Sequence, residues 1–139
     1  MALTVPAGMN AQLLCIPLAA TRQLTGIATT ADATTFKPGF AGRVVGISGT
    51  CGAVGGTTAP TDIDLMVEKG TTDLLQAALA VADSSAVVSG GAVGTLTATT
   101  ADLEFTATDV FHLDIAGTAG TSLDGTVDDC VAYLWVVRE

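Results

Sequence analysis

Apolar and polar residues alternate with a period of two over much of the chain. The alternation is clearest in DIDLMVEK, where Ile63, Leu65 and Val67 fall on one side and Asp62, Asp64, Met66 and Glu68 on the other. Successive side chains of an extended backbone point to opposite faces, so this segment is predicted to be a strand with one face in a core and one in solvent. Phe111, Leu113 and Ile115 alternate with His112 and Asp114 in the same way. In the stretch from Arg43 to Cys51 the period groups Val45, Ile47 and Cys51, and Gly46 and Gly49 mark a bulge or a close approach of backbone. The C-terminal CVAYLWVVR is apolar at both parities, Val131, Tyr133, Trp135 and Val137 against Ala132, Leu134 and Val136. A strand of that composition is expected to be central and covered on both sides, with Tyr133 and Trp135 in the core. Weaker strands are expected at 94–100 and 103–105. Residues 72–82 stay open between a strand and a short Ala-rich helix capped by Thr72 or Asp73.

Residues 1–35 follow a different pattern. Met1 to Ala20 is apolar without a regular period, Thr21 to Thr35 is rich in Thr and Ala, and Pro6 and Pro17 argue against a continuous helix. The stretch is expected to be an extended arm and connector lying on a neighbouring subunit, with Leu13, Leu14 and Ile16 as its contact residues. The competing reading is an edge strand of the chain's own sheet. If it is an arm, deleting it leaves the rest folded. Residues 36–139 then form the domain proper. GTCGAVGGTTAPT, SSAVVSGGAVG and AGTAGTSLDGT separate its strands as turns and longer loops. Seven or eight short strands set off by such turns predict an all-β, antiparallel β-sandwich of jelly-roll type with an extended N-terminal arm. An immunoglobulin-like sandwich is second, because Trp135 follows both Cys51 and Cys130 instead of lying between them.

Composition adds two constraints. Of 139 residues 49% are hydrophobic but only 4% aromatic and 14% charged. With a mean hydropathy of +0.56, so little polar surface implies that part of the apolar surface is buried against other subunits. Five Lys and Arg against fourteen Asp and Glu give a net charge of -9, and Arg22, Lys37, Arg43, Lys69 and Arg138 are scattered along the chain. That balance sets nucleic acid aside as a partner, since phosphate binding needs clustered cations. No stretch reaches the roughly 20 apolar residues of a membrane helix, so no membrane partner is expected. The start of the chain lacks the basic region of a signal peptide.

Candidate chemistry is sparse. His112 is the sole histidine, with Asp114 on its face, and GISGT around Ser48 is not a nucleophile elbow. No catalytic residue is assigned and no enzymatic activity is expected. Asp62, Asp64, Asp124, Asp128 and Asp129 lack calcium-loop spacing and read as solvated carboxylates, so no metal site is assigned. The Gly-rich stretches contain neither GK[ST] nor GxGxxG, and no cofactor is expected. Cys15, Cys51 and Cys130 are far apart in sequence, without CxxC spacing, and read as buried free thiols.

The arm followed by GFAGRVVGISGTCGAVG, the strand segment DIDLMVEKGTTDLL, the segment DVFHLDIAGTAG and the closing CVAYLWVVRE together resemble small decoration, or cement, proteins of tailed-bacteriophage heads. The resemblance spans most of the chain. It implies a jelly-roll sandwich, commonly a homotrimer, placed on the capsid exterior at symmetry axes, with the major capsid protein as partner and arms or loops bridging its subunits. It brings no catalytic residues. The alternative is a receptor- or glycan-binding sandwich of a fibre or adhesin, using the loops Gly52 to Thr61 and Ser84 to Gly94.

Overall fold

The computed structural model describes residues 12–20, 24–25, 29–52, 54–55, 62–83, 90–118 and 126–138. Extended segments rich in Val, Ile, Leu and Thr, broken by Gly, become strands almost throughout. They are β1 (Gln12–Ala20), β2 (Leu24–Thr25), β3 (Thr29–Phe36), β4 (Gly42–Cys51), β5 (Val54–Gly55), β6 (Asp62–Lys69) and β7 (Thr72–Asp73). After these come β8 (Leu79–Asp83), β9 (Gly90–Val93), the single helical turn α1 (Thr100–Leu103), β10 (Glu104–Phe105), β11 (Phe111–Thr118), β12 (Thr126–Val127) and β13 (Cys130–Arg138).

Two antiparallel sheets pack face to face. The first runs β1-β13-β4, with β9 and β10 sharing the far edge of β4; the second runs β3-β11-β6, with β8 and β7 sharing the far edge of β6. A small ribbon, β2-β12-β5, accompanies them. The gap between the sheets is filled by alternate residues of each strand. Leu18, Val44, Ile47, Leu134 and Val136 enter from the first sheet, and Ile63, Leu65, Val67, Phe111, Leu113 and Ile115 from the second. Among the described residues the buried set contains no charged or polar side chain. Gly49 faces Leu65 across the gap, and a Cβ there would lie 2.9 Å from Leu65 Cδ1, so the missing side chain is what lets the sheets close. At one end Phe105 stacks edge-on against Phe40 and Phe111, with centroids 5.8 and 5.2 Å apart, and the Arg138 guanidinium lies 5.4 Å from the centre of the Phe40 ring.

Several expectations change in the fold. Gln12–Ala20 is an edge strand, paired residue for residue with β13 from Gln12↔Arg138 to Ala20↔Cys130. Of the two readings of this stretch, the edge strand is the one the structure shows, and Thr29–Phe36 likewise edges the second sheet. Met1 to Ala11 lie outside the described residues. Pro17 suits an edge: the Thr34 hydroxyl donates to the Ala19 carbonyl at 2.7 Å, which places the polar groups of Ala19, and by alternation of Pro17, on the open side, where a missing N–H costs no ladder bond.

In β4 it is Val44 that is buried with Ile47, while Val45 is exposed. The cause is a register shift opposite Trp135 and Val136, which pair with Gly46 and Val44 and leave Val45 as the extra residue. Residues 72–82 form β7 and β8 with a bridge between Leu75 and Leu96, and not a helix. The turn after β6 needs Gly70, whose φ is +62°. No described helix is long and apolar enough to cross a membrane.

Candidate interaction surface

The two sheets turn very different outer faces to their surroundings. On β1 and β13 the inward row is Ile16, Leu18 and Ala20 with Ala132, Leu134 and Val136. The alternation therefore sends Leu13, Cys15, Pro17 and Ala19 outward, opposite Val137, Trp135, Tyr133 and Val131. That outer row continues onto β4, where Trp135 stands opposite Gly46 and Tyr133 opposite Ser48, and onto β9, where Ser48 stands opposite Val93. The four large hydrophobic residues that are exposed among the described ones, Leu13 at 60%, Val45 at 37%, Val93 at 84% and Trp135 at 39%, all belong to this sheet, and the alternation and the β4 bulge turn them to its outer side. The Trp135 ring lies across Gly46, where a Cβ would meet it at 3.6 Å, and its Nε1–H points to the Ser48 hydroxyl at 3.4 Å. Charge enters this face at one end, where Arg43 stands between Val137 of β13 and Glu104 of β10.

The outer face of the second sheet is acidic. Asp64 and Glu68 of β6 alternate with the buried Ile63, Leu65 and Val67, and Glu68 stands between His112 of β11 and Asp73 of β7. Asp114 shares the His112 side of β11. Asp32 joins them from a bulge of β3: its φ is +51°, its N–H donates to Asp114 Oδ1 at 2.7 Å, and its carboxylate lies 2.5 Å from His112 Nδ1. The last contact is close but lacks the alignment of a hydrogen bond. Burial, then the neighbouring Asp73 and Asp114, hold the Glu68 carboxyl above the usual carboxylate range. His112 is thus a half-buried side chain among carboxylates, and no serine or cysteine nucleophile contacts it in these interactions. No group of three or more His, Cys, Asp or Glu among the described residues converges as metal ligands.

The sequence-derived contact residues part company here. Leu13 is exposed on the apolar face, Leu14 is partly buried against the core, and Ile16 is buried within it at 8%. A pleated strand cannot present Leu13 and its neighbours Leu14 and Ile16 to one partner, because Leu14 and Ile16 share the face opposite Leu13. Trp135 and Tyr133, expected in the core, are on the outer face, Trp135 exposed and Tyr133 half-buried. The signal for this surface was present in CVAYLWVVR: both parities are apolar, but the fold covers only one. Cys15 is exposed, against the expectation of a buried thiol, whereas Cys51 and Cys130 are buried. Of the loops of the glycan-binding alternative, Gly52 to Thr61 and Ser84 to Gly94, residues 53, 56–61 and 84–89 lie outside the described residues, as does Asp124, whereas 54–55 form β5 and 90–93 form β9.

A chain of the solved cyanophage Pam1 capsid asymmetric unit shares this fold. The two superpose with a TM-score of 0.50 at 22% identity, over 96% of this chain and 93% of that one. At that identity the likeness is one of architecture. No protein-family model and no curated protein matches the sequence.

Proposed function

We propose that this protein is a structural virion component that decorates the exterior of a viral capsid and stabilises it by bridging neighbouring capsid subunits. The observation that carries the reading is the uncovered apolar face of the β1-β13-β4-β9 sheet, centred on Trp135. A surface of this kind lowers its free energy by docking, at about 25 cal/mol for each Å2 of apolar area removed from water. A subunit that docks across a junction favours the assembled shell over its separated parts by mass action. The acidic face on the other sheet then points to solvent and discourages further stacking.

Two further observations support the reading. The structural likeness takes in 93% of a chain in a capsid assembly, so the match is to a whole chain of about this size and not to one domain of a larger protein. The strand order also supports a jelly roll: the eight longer strands, numbered along the chain, run 1-8-3-6 in one sheet and 2-7-4-5 in the other. Assembly as a homotrimer belongs to the same proposal and is read by sedimentation of the isolated protein.

The test is rebinding of purified protein to particles stripped of it. Trp135→Glu and Val93→Glu place a charge on the docking face without touching the core, and are expected to keep the wild-type melting transition while losing particle binding. Wild-type binding by both folded variants overturns the reading. Trp135 is also the observation that favours a glycan-binding role, since sugars stack on exposed indoles. Its neighbours Gly46, Val45 and Val93 offer few polar groups to orient a sugar, and loss of glycan binding with retained particle binding in Trp135→Glu would select that alternative.

A further inference from the structure

We propose that Cys51 and Cys130 form an intramolecular disulfide that staples the end of β4 to the start of β13. The two residues are 79 positions apart in the chain, and the β4-β13 register, which pairs Thr50 with Val131, carries them to facing positions. Their sulfurs are 3.1 Å apart and both side chains are buried, at 4% and 1% exposure. Directly opposed positions on antiparallel neighbours have Cα separations of about 4.5–5.5 Å, inside the range a disulfide spans. Backbone movement is therefore small. Cys15 has no such placement: it is exposed on the outer face of β1, opposite Trp135.

Oxidation joins the pair through one thiolate. Either thiol can donate to the other sulfur, and burial and Asp128 oppose ionisation of both. The one that ionises is the nucleophile, and the other resolves it. With a peroxide as oxidant, that thiolate attacks one peroxide oxygen, the O–O bond breaks, and hydroxide leaves with the released thiol proton as water, giving a sulfenic acid. The second sulfur then attacks the sulfenic sulfur, its proton leaves with the sulfenic oxygen as water, and the S–S bond forms. Two thiols and one hydrogen peroxide become one disulfide and two waters.

The consequence is mechanical. The staple closes a long loop of chain and ties together the two strands that carry Trp135 and the Gly46–Ser48 row beneath it. Neither sulfur is on the outer face, so the disulfide stands or falls independently of the docking role.

The experiment uses the full chain, purified in reductant, exchanged into buffer, treated with hydrogen peroxide, quenched, unfolded and alkylated with iodoacetamide. Intact mass and peptide mapping are expected to show one label, on Cys15, with Cys51 and Cys130 linked, against three labels without peroxide. The oxidised protein is expected to melt about 5–15 °C higher. Cys15→Ser is expected to take no label after oxidation, which keeps the test valid if Cys51→Ser or Cys130→Ser fails to fold. Three labels after treatment, a linkage through Cys15, or sulfinic acid at Cys51 would overturn the assignment.

Discussion

Gly49 and Leu65 show how single residues set the distance between the sheets. Leu65 is fully buried and its Cδ1 occupies the space that a β-carbon on Gly49 would need. Gly49→Ala is expected to overpack the gap and destabilise by about 1–3 kcal/mol. Leu65→Ala is expected to cost about 2–5 kcal/mol through the cavity it leaves. Because losing Leu65 Cδ1 removes the overlap with the added methyl, the double variant is expected to be more stable than the sum of the single effects implies, as read by urea unfolding. An additive double variant would mean that the sheets adjust their spacing freely. The role of Gly49 as a close approach was legible from a glycine inside an apolar strand. The placement of Trp135 was not, because an apolar residue between apolar neighbours carries no mark of which face the fold covers.

At the scale of elements, the period-two alternation in DIDLMVEK and FHLDI identified β6 and β11 and their buried rows. Where the chain has a bulge, alternation misleads: the extra residue in β4 moves Val44 inward and Val45 outward. A one-residue shift flips every side chain beyond it, and periodicity read on one strand cannot see the partner that creates the shift. The pairing of β1 also revises what deletion does. Removing the chain through Ala20 strips β13 of a nine-residue partner and uncovers the core beside Ala132 and Leu134, so that truncation is expected to abolish the cooperative melting transition. A truncated protein that melts as wild type would show that β1 is dispensable.

The turn between β10 and β11 gives a pH-dependent case. The Asp109 carboxylate accepts the Thr106 N–H at 2.6 Å and the Thr106 hydroxyl at 3.0 Å, and the first of these bonds chiefly lowers its pKa. A carboxyl depressed in the folded state contributes stability above its unfolded pKa and loses it as pH falls through the folded value. Asp109→Asn is therefore expected to destabilise modestly at neutral pH and to match wild type in strong acid. Glu68 has the opposite sign. Its raised folded pKa makes the charged form unfavourable, so Glu68→Gln is expected to stabilise above that pKa, with the gain fading as pH falls from the folded value towards the ordinary glutamate value and absent below it. Denaturation midpoints across pH check both; parallel curves for variant and wild type would contradict the assigned environments.

For the whole molecule, the division into one apolar and one acidic outer face leads to a direct optical test. Trp135 is the chain's one tryptophan and lies on the apolar face. Its emission is expected to be quenched by acrylamide in the free protein, and to shift to the blue and become protected when the protein binds particles. Unchanged emission on saturated particles would place the docking surface elsewhere. The sequence by itself determined an all-β chain, an acidic and poorly charged surface that suits assembly, and the buried rows of its regular strands, because these follow from composition and from a period that each strand carries alone. Only the tertiary structure decided that Gln12–Ala20 is an edge strand, that the C-terminal strand is covered on one side, and that Cys51 meets Cys130. Those three outcomes depend on which strands become neighbours, and pairing across 79 or more residues is set by the packing of the whole sandwich.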